Sequence, residues 1–204
     1  MAEKLFTNHK VEVRSEGDSK RITGLAAVFY DGTRDTEYDL WYGVKERIMP
    51  TAFDRAIEEK DDVRGLFNHD PDNLLGRTVS GTMTLAKEKA GLRYTIEPGA
   101  TTIAANVIES IRRGDLSGSS FAFFVDEELW RHEEDDVDVR EILSVRLFDV
   151  GPVTYPAYES TTAGLRAVGG VDEARSSHIR WKESPKFTPR GAATARARMA
   201  VLGL

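Results

Sequence analysis

Apolar and polar positions along this chain recur mostly with the two-residue period of β-strands. Residues 10–14 (KVEVR) alternate as a half-buried strand does. Residues 21–30 (RITGLAAVFY) form a nearly continuous apolar run, which predicts a buried strand. A polar loop over 31–39 precedes a further predicted strand at 40–48. Residues 63–69 predict a strand that stops at the turn Asp70-Pro71-Asp72-Asn73. Residues 79–85 and 92–97 predict a pair of strands. Two more are expected at 119–125 and 141–150, the latter ending in Gly151-Pro152. Helical spacing is confined to two places. A short helix is expected over 52–60, where Phe53 and Ile57 share a face. A longer one is expected over 101–113, with Ile103, Val107 and Ile111 in register, Thr101 or Thr102 as cap and Gly114 as terminator. Residues 127–138 are strongly acidic and read as an exposed hairpin arm.

From about residue 170 the pattern fades. Gly169-Gly170 reads as a hinge, and Val201-Leu202-Gly203-Leu204 as a small docking point. The expectation is a mainly β (α+β) domain over 1–168 with two or three helices, followed by a basic, flexible tail over 169–204. Charge sharpens that division. Residues 170–204 carry seven basic and three acidic residues, a net +4, which leaves 21 basic and 31 acidic residues, a net −10, on the body. An acidic body argues against nucleic acid as a partner of the whole chain. The absence of cysteine excludes disulfides and thiol catalysis. No apolar run approaches the roughly 20 residues that span a bilayer, and the first ten residues lack the apolar stretch of a secretion signal. A cytoplasmic setting fits these features.

Three side chains then draw attention. Ser120 sits in the segment Ser117-Gly118-Ser119-Ser120-Phe121-Ala122-Phe123. Strand parity puts Ser119 with Phe121, Phe123 and Val125 on the core face, and Ser120 with Gly118 and Ala122 on the other. Small neighbours leave room beside the Ser120 hydroxyl, but a serine is a nucleophile only with a base in reach. His69 ends its strand in Phe67-Asn68-His69-Asp70, where an imidazole reads either as a surface group or as a general base. Asp149 follows Leu143, Val145 and Leu147 at two-residue spacing. It is either a carboxylate buried on that face and paired, as with His69, or a solvated residue where the strand ends. His69, Asp70 and Asp72 also offer metal-type ligands, but no second histidine lies nearby.

These segments, in this order, resemble the prohead serine proteases of tailed bacteriophages, a family related in fold to the herpesvirus capsid protease assemblin. The matching pieces include Gly24-Leu25-Ala26-Ala27-Val28-Phe29, Ile48-Met49-Pro50-Thr51-Ala52-Phe53, Asn68-His69-Asp70, Leu75-Gly76-Arg77, Ser120-Phe121-Ala122-Phe123 and Asp149 to Tyr158, within residues 20–166. The resemblance implies an assemblin-like closed or partly closed β-barrel flanked by helices. It implies a serine endopeptidase with His69, Ser120 and Asp149 as catalytic residues and no cofactor or metal. Arg77 is a candidate electrostatic helper or a surface ion pair. The chain departs from the family's usual glutamate and serine at Asp149 and Gly151. The implied setting is the assembling prohead in the host cytoplasm, with major capsid protein, scaffold and the protease itself as substrates. Self-association stays open and no membrane partner is expected. The alternative is a non-enzymatic capsid assembly factor that retains the protease fold.

Overall fold

The computed structural model describes residues 11–16, 19–155 and 170–184, in which the alternating segments pair into two sheets. Four antiparallel strands form the first: β1 (Val11–Glu16), β2 (Ser19–Val28), β7 (Met83–Lys87) and β8 (Gly91–Ile96), in the order β1-β2-β8-β7. The second contains β3 (Tyr38–Trp41), β4 (Val44–Ile48), β5 (Arg64–Leu66), β6 (Leu74–Arg77), β9 (Gly118–His132) and β10 (Asp138–Val153). Three helices complete the described residues: α1 (Asp54–Glu58), α2 (Thr102–Arg113) and α3 (Gly170–Lys182).

β10 organises the second sheet. One edge pairs antiparallel with β9 along its length, from Asp138↔His132 to Val153↔Gly118. The other edge is shared by two parallel partners. β4 takes the first part (Asp138↔Val44 to Ile142↔Ile48), and β5 the last (Asp149↔Arg64, Val150↔Gly65). Between them the backbone of β10 needs other partners, and the segment around α1 supplies them. Val145 N–H donates to the Ala52 carbonyl (3.0 Å), Arg55 Nη2 donates to the Val145 carbonyl (3.0 Å), and Leu147 N–H donates to Asp61 Oδ2 (3.1 Å). β6, unpredicted from sequence because Leu74-Leu75-Gly76-Arg77 does not alternate, closes the β5 side.

Both sheets share one core. Phe53 is fully buried between Phe29 (centroids 6.1 Å) and Phe121 (5.6 Å), and Phe121 stacks on Phe123 at 4.9 Å. Ile96 of the first sheet packs against the cross-strand pair Gly65 and Gly76 of the second, where any Cβ would come within 3.0 Å of it. α2 forms as expected. Thr101 Oγ1 accepts from Ala104 N–H at 3.2 Å, Gly114 ends the helix at φ 82°, and Ala104, Val107, Ile108 and Ile111 are buried.

Several expectations are corrected. The sheets do not close into a barrel. Single hydrogen bonds connect them, such as Tyr30 N–H to the Ile48 carbonyl at 2.8 Å, but among the described residues no ladder joins one sheet to the other. The strand expected at 40–48 is a hairpin, β3 and β4, broken at Tyr42-Gly43 where Gly43 has φ 73°. The strand expected from 79 begins at Met83, because residues 78–81 turn, with Gly81 N–H donating to the Thr78 carbonyl.

The acidic arm over 127–138 is not wholly exposed. Trp130 is buried, as are Asp138, Arg140 and Glu141 on the facing strand. Arg140, the largest fully buried side chain, donates to Glu46 (3.1 Å) and Glu128 (2.6 Å). The segment after 169, expected to lack regular structure, contains α3. Ala174, Ser177, His178 and Trp181 lie three, four and seven residues apart, which is helical spacing. That face carries only one large apolar residue, so it has no hydrophobic signature. It joins a second cluster formed with Leu40, Val44, Trp130 and Trp41. Asp138 anchors it, bonded by His132 Nδ1, His178 Nε2 and Lys182 Nζ, each at 2.7 Å. Burial pushes the Asp138 carboxyl up, but the hydrogen bonds from Lys182, His132 and His178 outweigh it and hold the group below its usual range. The docking point at 201–204, the segment 156–158, Gly169 of the hinge and the expected boundary at 168 lie outside the described residues.

Arg140→Ala leaves Glu46 buried without its guanidinium and should lower stability by about 3–5 kcal/mol, read as a lower urea midpoint at unchanged slope. The lowered Asp138 pKa makes its contribution to the α3 contact complete above the ordinary aspartate value near 3.9 and lost as pH falls below it. Acid titration of the Trp130–Trp181 fluorescence should therefore show release of α3 below about pH 4. Asp138→Asn should remove that step.

Candidate active site

One end of the second sheet brings β5, β9 and β10 side by side, and the three expected catalytic positions lie there. Ser120 of β9 faces Gly151 of β10, and Asp149 faces Ala122 and also pairs with Arg64 of β5. Directly opposed residues of an antiparallel pair point to the same side, so Ser120, Ala122, Asp149 and Gly151 share a face. Parity separates the two serines as expected. Ser119 lies on the core face and shares a 2.8 Å hydrogen bond with the buried Tyr94 hydroxyl, whose pKa burial raises. Ser120 projects to the opposite face.

Asp149 arrives there by a different route from the one its spacing suggests. Leu147 pairs with Phe123 on the core side, and unbroken alternation would put Asp149 on that side too. Instead the register shifts between Leu147 and Asp149, and Phe148 is the extra residue of a β-bulge. The bulge reverses the parity and moves Asp149 onto the Ser120 face. Phe148 packs edge-to-face on Phe124 at 4.6 Å, with the Arg146 guanidinium 5.3 Å from the Phe124 ring centroid. That packing holds the extra residue in place.

His69 lies three residues past β5. Its Nδ1 is 2.5 Å from Asp149 Oδ1. A carboxylate only accepts, so Nδ1 carries the hydrogen and Nε2 of the neutral ring keeps its lone pair. The Asp149 side chain is 12% exposed and that of His69 24%, so the pair lies at the rim of the fold with the ring on the outer side. Ser120 shares the face without a hydrogen bond to His69, and its hydroxyl has no hydrogen-bond partner among the described residues.

The loop that carries His69 is tightly fastened. Asn68 and His69 both have φ 57°, a left-handed conformation that costs a non-glycine residue about 1–2 kcal/mol. Asn68 offsets this with three bonds to the end of β10. Its N–H donates to the Pro152 carbonyl (3.0 Å), its Oδ1 accepts from Thr154 N–H (2.8 Å), and its Nδ2 donates to Thr154 Oγ1 (3.2 Å). Asp70 closes the following turn by accepting from Asp72 N–H and Asn73 Nδ2, each at 2.9 Å. Among the described residues no group of His, Asp or Glu side chains has the arrangement of a metal site. Asn68 was not singled out from sequence, although an asparagine before a turn is the residue type that tolerates this conformation.

Other candidates are engaged elsewhere. Arg77 donates to Asp62 from Nε (2.7 Å) and Nη2 (2.6 Å), a surface ion pair. His132, expected on an exposed arm, is largely buried beside Asp138. His9 lies outside the described residues.

Among the described residues no helix is long and apolar enough to cross a membrane. No curated protein and no solved structure matches the chain. A family model described as caudovirus prohead serine protease matches residues 9–173, which include both sheets and the whole His69–Asp149 site. That match covers most of the chain and agrees with the resemblance of its segments, and the chain belongs to the caudovirus prohead serine protease family.

Proposed function

We propose that this protein is a serine endopeptidase of prohead maturation in which Ser120 is the nucleophile, His69 the general base and acid, and Asp149 the residue that orients the imidazole. Family membership indicates a serine peptidase acting inside the assembling prohead, with capsid proteins as its substrates. The observation that carries the residue assignment is the 2.5 Å contact between His69 Nδ1 and Asp149 Oδ1, on the face to which Ser120 projects.

His69 Nε2 takes the Ser120 proton as Oγ bonds to the scissile carbonyl carbon. The carbonyl π-pair moves to oxygen, and Asp149 stabilises the imidazolium without itself taking the proton. As the tetrahedral intermediate collapses, the C–N bond breaks and the leaving nitrogen receives the proton from Nε2. Water then repeats the sequence on the acyl-enzyme, its proton passing through His69 back to Ser120. The substrates in this reading are the major capsid protein, a scaffold protein or segment, and the protease itself. The basic residues after 169 serve to bring the chain into the prohead or are removed by self-cleavage.

Co-expression with the phage's capsid protein and mass measurement of the products tests the reading. Ser120→Ala and His69→Ala should each abolish processing while leaving the thermal midpoint within a few degrees. Retained cleavage in either would sink the assignment. A wild-type chain that cleaves nothing would favour an assembly factor instead. Asp149→Asn should lower kcat by about 10³–10⁴-fold, because the ring loses the acceptor that sets its tautomer. Deleting residues 170–204 should reduce the protease copies per purified prohead, counted by quantitative mass spectrometry. Undiminished copies would argue against a targeting role.

A further inference from the structure

We propose that Gly151 is a positioning residue: its missing side chain lets the Leu66 end of β5 cross closely over β10, and this crossing, clipped by Asn68, sets His69 against Asp149. The inference deepens the triad reading above and rests on it for its consequence in catalysis.

β5 pairs with β10 only through Arg64 and Gly65, whereas its last residue, Leu66, keeps its partner Leu74 in β6 but has none in β10. A Cβ on Gly151 would lie 1.9 Å from the Leu66 carbonyl oxygen, 2.9 Å from its carbonyl carbon and 3.1 Å from its nitrogen. These are backbone atoms, so no rotamer change can relieve the overlap. Gly151 pairs with Ser120, so its Cβ direction is the direction of the Ser120 side chain. The Leu66 end of β5 therefore passes over the Ser120 face in the space the side chain would occupy. Beyond the crossing, Asn68 fixes the loop to Pro152 and Thr154, and the left-handed pair Asn68-His69 turns the ring back onto Asp149. Aspartate is a short acid, and its carboxylate meets the imidazole because the loop lies this low.

The magnitudes match in a testable way. Restoring ordinary contact with a Cβ at 151 requires the Leu66 backbone to rise by about 1.5 Å, close to the roughly 1.5 Å length of one carbon–carbon bond. Lengthening Asp149 to glutamate adds one such bond. A lifted loop and a longer acid should thus compensate each other.

The experiment uses the full chain with its capsid-protein substrate and the downfield imidazole N–H resonance of 15N-labelled protein, assigned by its loss in His69→Ala. Gly151→Ala should keep KM, lower kcat by at least about 100-fold, as expected for an ångström of misplacement, and abolish the resonance. Gly151→Ala with Asp149→Glu should recover at least tenfold in kcat and restore the resonance. Wild-type kcat with an intact resonance in Gly151→Ala overturns the proposal, as does a double variant that recovers neither kcat nor the resonance. If the resonance is lost and regained as stated while cleavage is indifferent, the crossing stands and the triad assignment fails. If Gly151→Ala does not fold, Asn68→Ala decides. A loss of resonance with kcat down about tenfold and KM kept supports the crossing as the device that positions His69, and an unchanged resonance overturns it.

Discussion

The backbone of β10 must be satisfied along both edges, and the way this is done determines where everything else in the second sheet lies. One edge has a single partner, β9, which brings Ser120 to it. The other has none long enough, so β4, the α1 segment and β5 take successive stretches. That division leaves β5 only two paired residues at the far end of β10. The loop after so short a strand has no ladder to follow. It rides over the sheet, and His69 comes to an acid that its own strand does not carry.

Charged groups are used inside this fold more than its ordinary composition suggests. Arg140 is buried between Glu46 and Glu128, and Arg47 is nearly buried between Glu37 and Glu133. Each guanidinium joins elements distant in the chain, β3–β4 to the β9–β10 arm. Pairs of this kind contribute little net stability compared with apolar packing, but a mispaired arm would leave several charges unpartnered in low dielectric. They act mainly as constraints on which strand lies beside which. The Asp138 contact extends the same logic to α3, where one carboxylate accepts from two histidines and a lysine.

Much of this was legible in the sequence, for reasons that also explain what was not. α2 combines a cap, a helical apolar stripe and a terminal glycine, so its bounds agree with expectation within a residue. Ser120 was separable from Ser119 because unbroken alternation through Phe121 and Phe123 ties side to position. Asp149 was expected on the wrong side of the strand, because a bulge changes parity without changing composition. α3 was missed because helical spacing of Ala, Ser, His and Trp has no aliphatic signal. The open arrangement of the sheets was missed because barrel closure depends on pairing between distant edges, which no local pattern encodes.

Phe148 gives the bulge a significance beyond local geometry. On either side of it the strand has the same partner and the same kind of core contacts, so the sheet itself is nearly indifferent to its presence. The reactive face is not. Were Phe148 paired regularly with Ala122, β9 and β10 would still form a ladder, but Asp149 would oppose Phe121 and the acid would turn inward, toward the aromatic core. A one-residue slip of register at this point therefore separates a sheet with the acid on the Ser120 face from one with the acid buried among phenylalanines.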